Sequence, residues 1–233
     1  MIDAAGGMAL RLPLLAIAPV PDPSAAARRL ESGRNADRWI FSSTNAVQET
    51  AALVAPPWPP AAAVGSVTAA TLQALGHSDV LTPPQRDGAN ALLAHPAFAD
   101  IGNQRLVLIA GENPLPELET ELRRRGAQVE VVAVYRRVAV AHAPAAVADA
   151  VKRADIAVVP GVEALTQLLR LTPPAARARL LHLQLAVPSP RVVEKALELG
   201  FTRTPLLPQR VTDAAYLDVL RLYCKRRLLI AHD

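Results

Sequence analysis

The sequence is poor in cysteine, lysine and aromatic residues. One cysteine, Cys224, among 233 residues excludes a disulfide framework and any cysteine-based metal cluster. Aromatic residues make up 3% of the chain, too few for base-stacking platforms, and the basic residues form no dense stripe. Nucleic acid is therefore not the expected partner. No window approaches the roughly 18 unbroken apolar residues of a membrane span. The opening Met1-Ile2-Asp3-Ala4-Ala5-Gly6-Gly7 carries an acid and no basic region, which argues against a secretory leader. A cytoplasmic monomer is the expectation. The histidines His77, His95, His142, His182 and His232 show no metal-ligand spacing, so no metal is expected. The nucleophile elbow, the Walker loop and the dinucleotide glycine fingerprint are all missing. Hydrolase, NTPase and dinucleotide-enzyme readings lose their usual support.

What is present is a chain 51% hydrophobic and 20% charged, able to build one large core or two small ones and unlike a disordered segment. Of the 25 basic residues only Lys152, Lys195 and Lys225 are lysines. Arginine grips carboxylate and phosphate with two parallel bonds, which fits an anionic partner, although codon bias is the plainer source of the excess. The clusters Arg123-Arg124-Arg125 and Lys225-Arg226-Arg227 are expected as solvated helix ends, where cations offset the dipole.

Short apolar runs alternate with amphipathic stretches, the pattern of an α/β fold with parallel sheets. Strands are expected at 39–41, 61–64, 80–81, 106–110, 129–134, 156–159 and 185–187. The strand at 129–134 continues outward through Tyr135-Arg136-Arg137. Helices follow the first, second, fourth, sixth and seventh of these runs, one of them placing Leu115, Leu118 and Leu122 on a single face and ending at Gly126. Ser189 and Pro190 form a helix start signal. Asp213 is expected to cap a last helix whose Leu217, Leu220, Cys224 and Leu228 share a buried face. Two similar halves are offset by 123 or 124 residues: Val64 with Val187, Gly76 with Gly200, Asn90 with Asp213. Residues 20–133 form one expected lobe, and residues 1–17 with 140–233 the other. Extended linkers cover 14–21 and 134–144.

Small polar turns recur where these strands end: Ser42-Ser43-Thr44-Asn45, Gly65-Ser66-Val67-Thr68, Gly111-Glu112-Asn113 and Ser189-Pro190-Arg191. Singly each reads as a helix cap. Together, at the edge where open α/β sheets bind ligands, they suit a large polyanion.

The segments Ile40 to Val47, Ala63 to Ala70, Gly126 through Arg137, and Val187 to Arg191 resemble the uroporphyrinogen-III synthase family in order and spacing. The resemblance implies two flavodoxin-like parallel-sheet lobes joined by a two-stranded linker. It implies a cofactor-free cyclisation of hydroxymethylbilane, a linear tetrapyrrole with eight carboxylates, to uroporphyrinogen III. Water is lost and the last pyrrole ring is inverted through a spiro intermediate. Tyr135 matches the family's cleft tyrosine, which assists departure of the hydroxyl, and Thr68 is the second catalytic candidate. A linker aromatic covering the lobe junction is the alternative for Tyr135. Ser43, Asn45, Gly65, Ser66, Gly111, Ser189 and Arg191 are the implied substrate-binding positions. Transient contact with the preceding enzyme of the pathway is a further expectation. The chain departs from the family at its start, where lobe A lacks a first strand–helix unit, and at Val158-Val159-Pro160-Gly161, where a serine-containing turn is usual. A non-catalytic two-lobed binding protein for a tetrapyrrole or other polycarboxylate is the alternative. A secreted solute-binding protein is disfavoured by the leaderless start.

Overall fold

A computed structural model describes residues 1–83, 88–114 and 116–230. It divides into two compact units, residues 1–16 with 139–233, and residues 17–138. Among the described residues no helix is long and apolar enough to cross a membrane.

The second unit carries β1 (Leu15–Pro19), α1 (Pro23–Ser32), β2 (Arg38–Phe41), α2 (Thr44–Leu53), β3 (Ala61–Ala63), α3 (Ser66–Ala74), β4 (Val80–Leu81), α4 (Ala89–Leu93), β5 (Arg105–Gly111), α5 (Pro116–Arg124) and β6 (Gln128–Ala139). β1 and the end of β6 run on across the unit boundaries. The six strands form one sheet in the order β1-β6-β5-β2-β3-β4, in which β6, β5, β2, β3 and β4 pair with one another in parallel. After β2 the chain moves outward through β3 and β4. It then returns to the other side of β2 for β5 and β6, so the direction reverses between β2 and β5.

Both faces of the central strands β2 and β5 are covered, which is why β2 reads as an unbroken apolar run instead of an alternating one. Trp39, Phe41, Val107, Ile109 and Val132 face α1, α2 and α3, packing with Leu30, Ala46, Val47, Ala69 and Leu72. Ile40, Leu106 and Leu108 face the opposite side and pack with Leu92, Leu93, Leu118 and Leu122 from α4 and α5. Each fully buried aliphatic side chain here contributes about 1.5–3 kcal/mol. Leu115, expected on the α5 face, lies outside the described residues.

An aromatic stack extends the first of these cores. The Trp39 and Trp58 rings are 5.8 Å apart, and Trp58 lies 5.1 Å from the His77 ring at 24°. The His77 Nε2 is buried without a hydrogen-bond partner among the described residues. Desolvation there pushes the imidazole pKa below its usual 6.5. The unfolded chain then binds more protons than the folded one just below that pH. Stability from this site is therefore present above about pH 6.5 and is lost as the pH falls. Urea midpoints measured from pH 7.5 to 5 should drop for the wild type. They should drop less for His77→Phe, which keeps the stack and removes the ionisable ring.

The first unit contains α6 (Pro144–Arg153), β7 (Ile156–Val158), α7 (Val162–Leu171), α8 (Pro174–Leu181), β8 (Gln184–Ala186), α9 (Pro190–Glu198) and α10 (Asp213–Ile230). β7 and β8 pair in parallel, and Leu206 bridges to the other side of β8. Leu185 and Val187 pack with Val147, Leu165, Leu168, Leu180, Val192 and Ala196 from α6, α7, α8 and α9.

Several sequence-based expectations need correction. Cys224 is exposed on α10 and not part of a core face, and the Leu228 side chain lies outside the described residues. The cap of α10 is Thr212, whose Oγ1 accepts from the Ala215 N–H at 3.3 Å, because Asp213 is already the first helical residue. The Arg123-Arg124-Arg125 cluster is not simply solvated. The Arg125 guanidinium donates to the Leu93 and Phe98 carbonyls at 2.7 and 2.8 Å and pairs with Glu121, tying α5 to α4. Arg124 and Arg125 together hold the Glu121 carboxyl down at about 2. Helix α1, for which no expectation was formed, has a legible start: Asp22 accepts from the Ala25 N–H at 2.8 Å, with Pro23 at the first position.

Candidate functional site

The strand order reverses between β2 and β5, and the carboxyl ends of strands at such a switch point are the usual ligand position in open α/β sheets. Three turns line this edge. β2 leads to Ser43, the N-cap of α2; β3 leads to Gly65, the N-cap of α3; β5 ends at Gly111. The edge is held in register by Ser42 N–H to the Ile109 carbonyl at 3.0 Å and Val64 N–H to the Phe41 carbonyl at 3.1 Å. Helix α2 begins its internal bonds with Val47 N–H to the Ser43 carbonyl, and α3 with Ala69 N–H to the Gly65 carbonyl. First-turn N–H groups at these ends, together with the helix dipoles, favour carboxylates.

Tyr135 enters this edge from β6 through a bulge. Ala110 pairs with Ala133, but Gly111 pairs with Tyr135, so Val134 is the extra residue. In an unbroken ladder Val134 would oppose Gly111 and Tyr135 would turn to the α4–α5 face. The bulge instead places Tyr135 on the α2 side, with Ile109 and Val107. There its ring is 1% exposed, and its hydroxyl lies 3.0 Å from the Ser43 Oγ. The same Oγ accepts from the Ala46 N–H at 3.2 Å as the α2 cap. A Cβ on Gly111 would lie 2.7 Å from two Tyr135 ring carbons, so only glycine admits the ring. Arg137, two residues along the strand and on the same face, lies 5.8 Å above the Tyr135 ring. Its Nη2 is 3.5 Å from the Tyr135 hydroxyl.

The structure thus brings Ser43, Gly111 and Tyr135 together. Asn45 lies in the first turn of α2 beside Ser43, and Gly65, Ser66 and Thr68 sit on the neighbouring turn of the same edge. Thr68 is 6% exposed in the first turn of α3, and no hydrogen bond of its hydroxyl is found among the described residues. Ser66 is half-buried and engaged in an interaction of its own. Ser189 and Arg191 belong to the other unit, after β8. Ser189 holds the N-cap position of α9, but its side chain makes no capping bond; Arg191 is exposed and already has a partner. The three N-caps share one extended backbone: φ/ψ of −164/163° at Ser43, −151/162° at Gly65 and −154/157° at Ser189. Gly76 and Gly200, which end the helices after two of these turns, share φ near 90° (92° and 89°), a conformation glycine adopts without strain. Arg137 was not singled out as a functional residue from sequence. Its i, i+2 spacing from Tyr135 on a strand is the signal that could have found it. Among the described residues no group of three or more histidine, cysteine or carboxylate side chains could hold a metal ion.

The chain is 31% identical over 142 residues to the uroporphyrinogen-III synthase of Escherichia coli K12, covering 60% of this chain and 58% of that protein. It is 32% identical over 150 residues to the Salmonella typhimurium enzyme, covering 62% and 61%. The matched region therefore spans under two thirds of either relative. In fold, the chain superposes on a mutant uroporphyrinogen III synthase from Thermus thermophilus with TM-score 0.62 and 20% identity, over 97% of this chain and 92% of that one. The uroporphyrinogen-III synthetase of Helicobacter pylori gives 0.59 at 16% identity, over 90% and 91%. The family described as uroporphyrinogen-III synthase HemD matches residues 1–216. With that match covering nearly the whole sequence, the chain belongs to the uroporphyrinogen-III synthase family.

Proposed function

We propose that this chain is itself a uroporphyrinogen-III synthase, converting hydroxymethylbilane to uroporphyrinogen III. The observation that carries the reading is the Tyr135–Ser43 hydroxyl pair at the switch point of the sheet, 3.0 Å apart, in a chain of this family. The reaction needs a proton at the leaving hydroxyl and control over which carbon of the last ring closes the macrocycle. It has no net oxidation or reduction, so positioning and electrostatics suffice without a cofactor.

Departure of the hydroxyl as water leaves an electrophilic azafulvene. The substituted carbon of the last ring attacks it, giving the spiro intermediate whose rearrangement inverts that ring. The N-terminal turns of α2 and α3, with Asn45, Ser66 and Thr68, are the proposed carboxylate ligands in the second unit. In the first unit, taken by itself, the turn at Ser189 and Arg191 is a proposed carboxylate-binding turn. Thr68 is proposed to orient the bilane near the reacting end. No observation favours a binding protein that leaves the bilane unchanged. The test is turnover of freshly generated hydroxymethylbilane, followed as type III product; consumption at only the spontaneous rate would refute the reading.

A further inference from the structure

The bond directions at Tyr135 deepen the synthase reading, on which they rest. A guanidinium has only donors, so the Tyr135 oxygen accepts from Arg137. Tyr135 is 1% exposed, and its hydroxyl's other partner among the described residues is the Ser43 Oγ, so the phenol proton points to Ser43. Were Ser43 the donor, the buried phenol proton would be left without an acceptor, a costly arrangement. The Ser43 oxygen therefore accepts twice, from Tyr135 and from the Ala46 N–H. Both its lone pairs are used, and its own proton remains to be donated. Ser43 is half-buried, whereas the phenol is enclosed.

We infer that Ser43 is the catalytic residue that gives the proton to the leaving hydroxyl, with Tyr135 and Arg137 as positioning residues behind it. The carbon–oxygen bond of the hydroxymethyl group breaks with its electron pair going to oxygen. That oxygen takes the Ser43 proton and leaves as water, while the pyrrole nitrogen lone pair forms the azafulvene double bond. Ser43 takes the Tyr135 proton, and the negative charge settles on the phenol oxygen, facing the fixed positive charge of Arg137. The proton released from the free carbon of the last ring at final closure restores the phenol.

The test is a double-mutant cycle on the full chain, with kcat and KM for hydroxymethylbilane and separation of the product isomers. Ser43→Gly removes the hydroxyl, and glycine is well tolerated at a helix N-cap. Ser43→Gly and Tyr135→Phe should each lower kcat about 100-fold, the size of a general-acid contribution, with KM within about threefold of wild type. The double variant should be no worse than the weaker single within about threefold, because either change breaks the same relay. Ser43→Thr should recover most of the rate. Ser43→Asp keeps the cap and has no proton to give at neutral pH; it replaces the glycine variant if that one does not fold, with the same expected loss. Wild-type kcat in Ser43→Gly, a rise in KM alone, or losses that multiply in the double variant would overturn the inference. The last would mean that the phenol reaches the substrate itself. Type I product alone from the wild type would instead overturn the functional reading on which the inference stands.

Discussion

Gly111→Ala is expected to lower kcat about 100-fold, the cost of an ångström-scale displacement of a reacting group. The added methyl would stand 2.7 Å from two Tyr135 ring carbons and 3.1 Å from the hydroxyl, at a position fixed in the β5–β6 ladder. Neither side yields easily: Gly111 lies in the backbone of a buried strand, and the ring is enclosed in the core shared by α1, α2 and α3. The ring must move, and its hydroxyl moves away from Ser43. Overpacking of this kind also costs about 1–3 kcal/mol of stability. Steady-state kinetics with urea unfolding on the same preparation separates the two effects. A variant with wild-type kcat would show that the Tyr135–Ser43 distance does not matter to the reaction.

Trp39→Ala should give the largest loss of stability, about 3–5 kcal/mol, as for other large-to-small aromatic changes in cores. Trp39 is fully buried at the centre of the sheet, stacks on Trp58, and donates from its indole N–H to the Gly33 carbonyl at 2.9 Å. Removal leaves a cavity beneath α1 and takes one of two donors from the Gly33 carbonyl, which keeps the Ala36 N–H at 3.0 Å. Because Ser43 stands two residues beyond the end of β2, loosening that strand also reaches the site. Trp39→Phe keeps one aromatic ring but loses the N–H and part of the buried volume, so its denaturant midpoint should fall between alanine and wild type. Equal midpoints for all three proteins would contradict the packing described here.

The fold was legible wherever an apolar run ended in a small or polar turn. Trp39-Ile40-Phe41 followed by Ser43, and the α3 and α9 segments ending at Gly76 and Gly200, carry their signals locally. The α/β class and the family resemblance follow from such segments. What could not be read depends on partners distant in sequence. The bulge that aims Tyr135 arises from the pairing of β5 with β6, and nothing in Val134-Tyr135 announces it. The ties from Arg125 to Leu93 and Phe98 span 32 and 27 residues, so a basic triplet read as a solvated end. Cys224 was placed on a buried face because apolar spacing along α10 cannot say whether anything covers it. Of the site, the turns and Tyr135 were visible as residue types. The proton direction from Tyr135 to Ser43 needed the burial of one hydroxyl and the two bonds of the other.

The central claim is tested most directly by the isomer composition of the product formed from hydroxymethylbilane with and without the wild-type protein. Ring closure without an enzyme gives the symmetric type I isomer. The account predicts type III as the main product, formed faster than spontaneous closure and without added metal or cofactor. Type I alone, at the spontaneous rate, would contradict it.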